Sequence, residues 1–212
     1  AVKHLQRALR LLRDDQRVEG GGIRYAVQSN LARALGRLGK PEEGARIIEG
    51  LLEDRDDWNL HFTLAELYRD MGKAEAAAEH YRLTLARRPG FVPALCQYGM
   101  LEASGGATGR AIELYRRALR VIPDSPRARY NLALAFLDLG KPEVAYPMLE
   151  ELAEEYPRNP RVAAARSITR KLKEGGTVTP EELIILGERT RGAEKFIPYS
   201  KKARPDVLIP IR

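Results

Sequence analysis

Three histidines, one cysteine and two glycine-rich stretches are the residues of this 212-residue chain whose types could carry chemistry. His4, His61 and His80 lack the close spacing of a metal-ligand set and have no cysteine beside them, so they do not point to zinc or haem ligation. His61 and His80 read as ordinary helix residues. Cys96 would need a neighbouring base to act as a nucleophile, and no His–carboxylate arrangement can be placed by spacing, so it reads as a small buried or groove-lining thiol. A lone cysteine also excludes an internal disulfide and CxxC chemistry. Gly20, Gly21 and Gly22 follow no strand and precede no Lys-Ser/Thr pair, and the stretch from Ser104 to Arg110 lacks the GxxxxGK[ST] spacing, so neither cradles a phosphate. The acidic pairs Glu150/Glu151 and Glu154/Glu155 are most simply a solvated helix face. These residues predict no catalytic site, no metal and no cofactor, and hence a chain that works by binding.

The formal charge of +7 is unevenly spread: +1 over residues 1–57, 0 over 58–160 and +6 over 161–212. A basic end suits an acidic partner, a membrane surface or nucleic acid. Nucleic acid is disfavoured, because Phe196 and Tyr199 are the only stacking residues in that segment. No apolar run reaches the length of about 18 residues needed to cross a bilayer. The chain is expected to be soluble, cytoplasmic or periplasmic, and its start at Ala1 leans toward a processed, exported product or an excised piece.

What positions these residues is a repeated pattern. Ala111, Leu114, Tyr115, Ala118, Leu119 and Ile122 fall at i, i+3, i+4, i+7, i+8 and i+11, the apolar stripe of an α-helix. Pro123 stops it by removing a backbone donor. One unit upstream Leu64, Ala65, Tyr68, Gly72, Ala77, Tyr81 and Pro89 give the same signs. One unit downstream Leu132, Ala133, Phe136, Gly140, Ala145, Leu149 and Pro157 do so again, with Ala65, Gly99 and Ala133 each 34 residues apart. A weaker copy holds Leu31, Ala32, Leu35, Gly39, Gly44, Ile48 and Leu51. Small residues at fixed positions let two helices approach closely and seat the large ones between them. Four copies in register are not explained by unrelated helices in a bundle.

With these residues and this period the chain resembles the tetratricopeptide repeat family, whose signature is a helix–turn–helix of that length. The expected fold is therefore all-α: a right-handed α-α superhelical solenoid with one concave and one convex surface, followed by a non-repeat extended C-terminal tail. It is read as one domain over 1–192. A half-repeat spans 1–13; a flexible loop runs from Asp14 to Gly22; repeats cover about 25–57, 58–91, 92–125 and 126–158; a degenerate capping unit covers 159–190. Asp57 and Ser125 are expected helix caps, with Pro41 and Pro126 at first helical positions, and Asn159 and Pro160 open a further helix. Pro147 should bend the second helix of the fourth repeat. The tail, 193–212, has three prolines and is too apolar for an inert linker. Phe196, Tyr199, Val207, Leu208 and Ile209 are expected to dock it in the chain's own groove or on a partner, self-association included.

The resemblance also implies the binding surface, since the family lines its concave groove mainly with the first helix of each unit. Carried over residue by residue, those positions are Asn30, Arg33 and Arg37; Phe62, Glu66 and Arg69; Cys96, Gln97 and Met100; and Tyr130, Asn131, Leu134 and Leu137. Phe62, Met100, Tyr130 and Leu134 are expected to be exposed in the groove as adaptable apolar contacts. The family members that grip a C-terminal carboxylate use paired Lys and Asn; Asn30 and Asn131 match, but the lysines are absent, so that ligand is not implied. The implied function is a non-enzymatic scaffold, adaptor or assembly factor holding a partner peptide or helix, or a subunit of a larger complex. The alternative is nucleic-acid or acidic-surface binding through the basic C-terminal segment.

Overall fold

The computed structural model describes Arg7 and residues 21–176; the expected tail, most of the half-repeat 1–13 and the second part of the capping unit lie outside the described residues. These contain nine α-helices and no strand: α1 (Gly21–Arg37), α2 (Pro41–Asp54), α3 (Trp58–Asp70), α4 (Ala74–Arg87), α5 (Val92–Ser104), α6 (Thr108–Val121), α7 (Pro126–Asp138), α8 (Pro142–Glu155) and α9 (Pro160–Lys173). One expectation is corrected at once. The loop over Asp14 to Gly22 ends earlier, because Gly21 and Gly22 already form the first turn of α1. The entropic cost of glycine is felt most in the middle of a helix, and these two stand at its start.

Two kinds of connection alternate, and each has its own chemistry. Within a hairpin the first helix ends on a left-handed glycine, at Gly39, Gly72, Gly106 and Gly140, and α9 ends in the same way at Gly175, with φ between 68° and 82°. At each, the residue after the glycine donates its amide back five residues, as in Lys40 to Leu35, Lys73 to Tyr68 and Lys141 to Phe136, and the glycine itself bonds back three. This double closure satisfies the orphaned carbonyls of the helix end and needs a residue without Cβ strain. Between hairpins a side chain caps the next helix instead. Asp57 accepts from the Asn59 amide at 2.8 Å, Ser125 from Ala128 at 3.4 Å, and Asn159 from Arg161 and Val162 at 3.1 and 3.3 Å. The expected caps are therefore in place. Helix α8 runs on through Pro147.

The chain divides into two compact units, Ala1–Ala94 and Leu95–Arg212. In the first, α1 packs on α2, α2 on α3 and α3 on α4, with α1 also touching α3. Its core joins Ala32, Ala45, Ile48, Leu51, Leu60, Leu64 and Leu67. In the second, α6 packs on α7, α7 on α8 and α8 on α9. One cluster there gathers Ala111, Ile112, Tyr115, Leu132 and Ala135, another Tyr130, Ala133, Leu134, Leu149, Leu152 and Val162. The repeated small residues sit where helices meet: Ala32, Ala65, Ala77, Ala111, Ala133 and Ala145 have essentially no exposure.

Gly99 shows why they must be small. A Cβ built there would lie 2.5 Å from the Cε1 of Tyr115, an edge of a ring that is itself fully buried. Gly50 is the opposite case, exposed in mid-α2 with no atom near its Cβ direction. Replacing an unconstrained helical glycine by alanine gains about 0.5–1 kcal/mol, whereas overpacking costs about 1–3 kcal/mol. Gly50→Ala should therefore raise, and Gly99→Ala lower, the urea midpoint of unfolding.

Candidate functional site

The candidate surface is the set of first-helix side chains not consumed by hairpin packing. In the first unit, Asn30, Arg33 and Arg37 lie exposed on α1. They share a face because their spacing of three and four residues is one helical turn, and Arg33 Nη2 donates to Asn30 Oδ1 at 2.7 Å. On α3, Phe62 is half-buried and stands edge-on to Phe91, with ring centres 5.0 Å apart. Glu66 and Arg69 are tied to each other: Arg69 Nη1 donates to Glu66 Oε1 at 3.1 Å, Arg69 Nη2 reaches Asp70 Oδ1 at 3.0 Å, and the Tyr81 hydroxyl donates to Glu66. Burial alone would weaken the hold of Arg69 on its proton, but Glu66, Tyr81 and Asp70 outweigh it and raise the guanidinium above its ordinary value. These two residues thus belong first to an internal network.

In the second unit the expectation of exposed anchors fails in part. Tyr130 and Leu134 are only 6% and 5% exposed. They are covered because Val162 and Ala165 of α9 join Leu149 and Leu152 of α8 in the same cluster, so the apolar stripe of α7 is filled from two sides. Gln97 is likewise buried, as is Cys96. Met100, Asn131 and Leu137 remain half-buried. The Met100 sulfur accepts from Arg127 Nη2 at 3.4 Å. Phe196, Tyr199, Val207, Leu208 and Ile209 lie outside the described residues.

Two clusters escaped the sequence reading. Trp58 and Phe91 meet edge to face at 4.8 Å, and the Arg88 guanidinium lies 4.4 Å over Trp58 and 5.2 Å over Phe91. The repeat period was the available signal, since the start of a unit and the end of its second helix also meet at Tyr25 and Arg55 and at Arg129 and Glu155. The other cluster is a histidine pair: His61 Nδ1 and His80 Nδ1 are 2.9 Å apart, and His61 Nε2 is 2.8 Å from Asp56 Oδ1. Beside it, burial and then a 2.7 Å hydrogen bond to Glu49 push the Tyr68 phenol up to about 12. Among the described residues no group of three or more His, Cys, Asp and Glu side chains is placed to hold a metal ion. Nor is any described helix long and apolar enough to cross a membrane.

Three family models match the chain, each described as a tetratricopeptide repeat, over residues 1–55, 29–90 and 103–168. Two curated proteins are similar over part of their length. The protein O-mannosyl-transferase Tmtc1 of Drosophila melanogaster is 28% identical over 148 residues, which is 61% of this chain and 17% of that protein. The CTR9 homolog of Arabidopsis thaliana is 29% identical over 98 residues, 46% of this chain and 9% of that one. The chain thus spans less than a fifth of either relative. Among solved structures, a tetratricopeptide repeat protein from Parabacteroides merdae superposes with a TM-score of 0.68 at 21% identity, covering 89% of this chain and 77% of that one. MamA from Desulfovibrio magneticus gives 0.65 at 17% identity, covering 79% and 96%. At these identities the likeness is one of fold.

The Glu66 network makes a prediction that separates structure from binding. Glu66→Leu removes the acceptor of a buried tyrosine hydroxyl and of a largely buried guanidinium, a loss worth about 1–3 kcal/mol. Chemical denaturation should show the stability falling by that amount, and a drop of a few tenths would mean that the network is incidental.

Proposed function

The chain belongs to the tetratricopeptide repeat family, and from that premise we propose that it is a protein-interaction scaffold, an adaptor or assembly factor without catalysis of its own. Its first helices hold a peptide or helix of a partner protein. One observation carries this reading: after hairpin packing, the first helices keep half-buried apolar side chains, Phe62 on α3, Met100 on α5 and Leu137 on α7, and exposed polar ones at Asn30, Arg33 and Arg37 on α1. Half-buried apolar groups are anchors with area still to bury, and exposed polar groups supply selectivity. A helical or extended peptide can use both. Glu66 and Arg69 serve as the stiff support beside Phe62, and Asn131 as a polar contact in the second unit. Tyr130, Leu134 and Gln97 act from beneath, by fixing the shape of the surface.

The test is a charge reversal that spares the core. Arg33→Glu/Arg37→Glu changes two exposed side chains and should leave the helical circular dichroism unaltered. Affinity for a protein that co-purifies with the wild-type chain should fall by about tenfold or more, the effect of losing one anchor residue. Met100→Ala/Leu137→Ala should do the same through the apolar contacts. Unchanged affinity in both variants would overturn the reading.

A further inference from the structure

His61 and His80 face each other across the hairpin of α3 and α4 with their Nδ1 atoms 2.9 Å apart and their rings stacked at 5.1 Å. Two nitrogens at that distance share one proton, so one must donate and the other accept. The direction is set from outside the pair. His61 Nε2 lies 2.8 Å from the carboxylate oxygen of Asp56, which can only accept, so His61 carries its proton on Nε2 and offers the Nδ1 lone pair. His80 must then donate from Nδ1, leaving its own Nε2 as the accepting nitrogen. Asp56 is held in turn by Arg87 at the end of α4. These hydrogen bonds and the ion pair to Asp56 keep that carboxyl below its ordinary value, so it stays a fixed acceptor.

This arrangement counts protons. The closed pair can take one more, on His80 Nε2, and keep its hydrogen bond. A second has no lone pair to occupy while His61 Nδ1 is engaged, and placing it would set two N–H groups and two positive charges against each other. The unfolded chain takes both near pH 6.5. We propose that the His61–His80 pair is an acid-opened latch, which ties α3 to α4 at neutral pH and releases them when both imidazoles are protonated.

The groups around the latch fit this behaviour. Burial, then the neighbouring His61, hold His80 below the ordinary histidine value, while Glu79 on its own helix and Glu49 from α2 pull the other way. Glu79 is engaged by Arg82, and Glu49 by the Tyr68 hydroxyl, whose ring lies 5.5 Å from that of His80. With a folded-state value below the unfolded one, His80 binds fewer protons in the fold than out of it. Its contribution to stability is therefore complete above about pH 6.5 and is lost as pH falls below that value. His61 is 7% exposed, so the charge it would gain is poorly solvated.

The latch has a spectroscopic signature that needs no mutant. In nitrogen-detected imidazole spectra of the full chain at pH 7.5, His80 should be the Nδ1–H tautomer and His61 the Nε2–H tautomer. The wild-type melting temperature should fall between pH 7.5 and 5 by at least about 3 °C more than that of His61→Gln/His80→Gln, the shift expected when a domain of this size loses about 1 kcal/mol. An Nε2–H tautomer at His80, independent titration of both rings near 6.5, or equal pH dependence in the two proteins would overturn the proposal. If the double variant does not fold, the tautomers and titration curves of the wild type decide alone.

Discussion

Two helices approach each other most closely where one of them has almost no side chain, and the described structure depends on that constraint. Ala65 and Ala133 meet it with a methyl group, and Gly99 with nothing at all, because the ring of Tyr115 occupies the space a Cβ would need. Gly44 repeats the case on the second helix of its hairpin, where a Cβ would come within 2.6 Å of the Ala32 carbonyl oxygen. Once backbones approach this closely, the large residues between them have one place each. Tyr81 and Tyr115 are fully buried in equivalent positions of successive hairpins for that reason.

The same constraint explains why a binding surface is left over. A helix that spends a narrow, small-residue strip on its partner retains another face, and what stands there is not fixed by the fold. Asn30, Arg33 and Arg37 are free to be polar on α1, whereas Tyr130 and Leu134 on α7 are covered by Val162 and Ala165 of α9. Selectivity is thus most easily varied at the positions that the next hairpin leaves exposed.

The period, the turn glycines and the capping residues were legible in the sequence because each is a local rule. Gly72 marks a left-handed helix end, and Asp57, Ser125 and Asn159 mark helix starts, whatever surrounds them. The burial of Tyr130 and Leu134 was not legible, because it depends on the rotation of α9 over α7. At about 100° per residue, a shift of one position carries a side chain from surface to core. The histidine pair was hidden for a related reason. His61 and His80 are 19 residues apart and show no ligand spacing; only the fold of the hairpin about Gly72 places them face to face.

The prolines that open α2 and α8 have a consequence beyond helix geometry. Lys40, Lys73 and Lys141 are all exposed at the tight turns, where chains are most readily nicked. Lys40 and Lys141 are each followed by proline, and a bond to a proline nitrogen is a poor substrate for trypsin-like enzymes. Lys73 is followed by Ala74. Of these three matching turns, the one joining α3 to α4 is therefore the only one whose lysyl bond is chemically open to such proteases, so a single cut there would leave the two histidines on separate fragments.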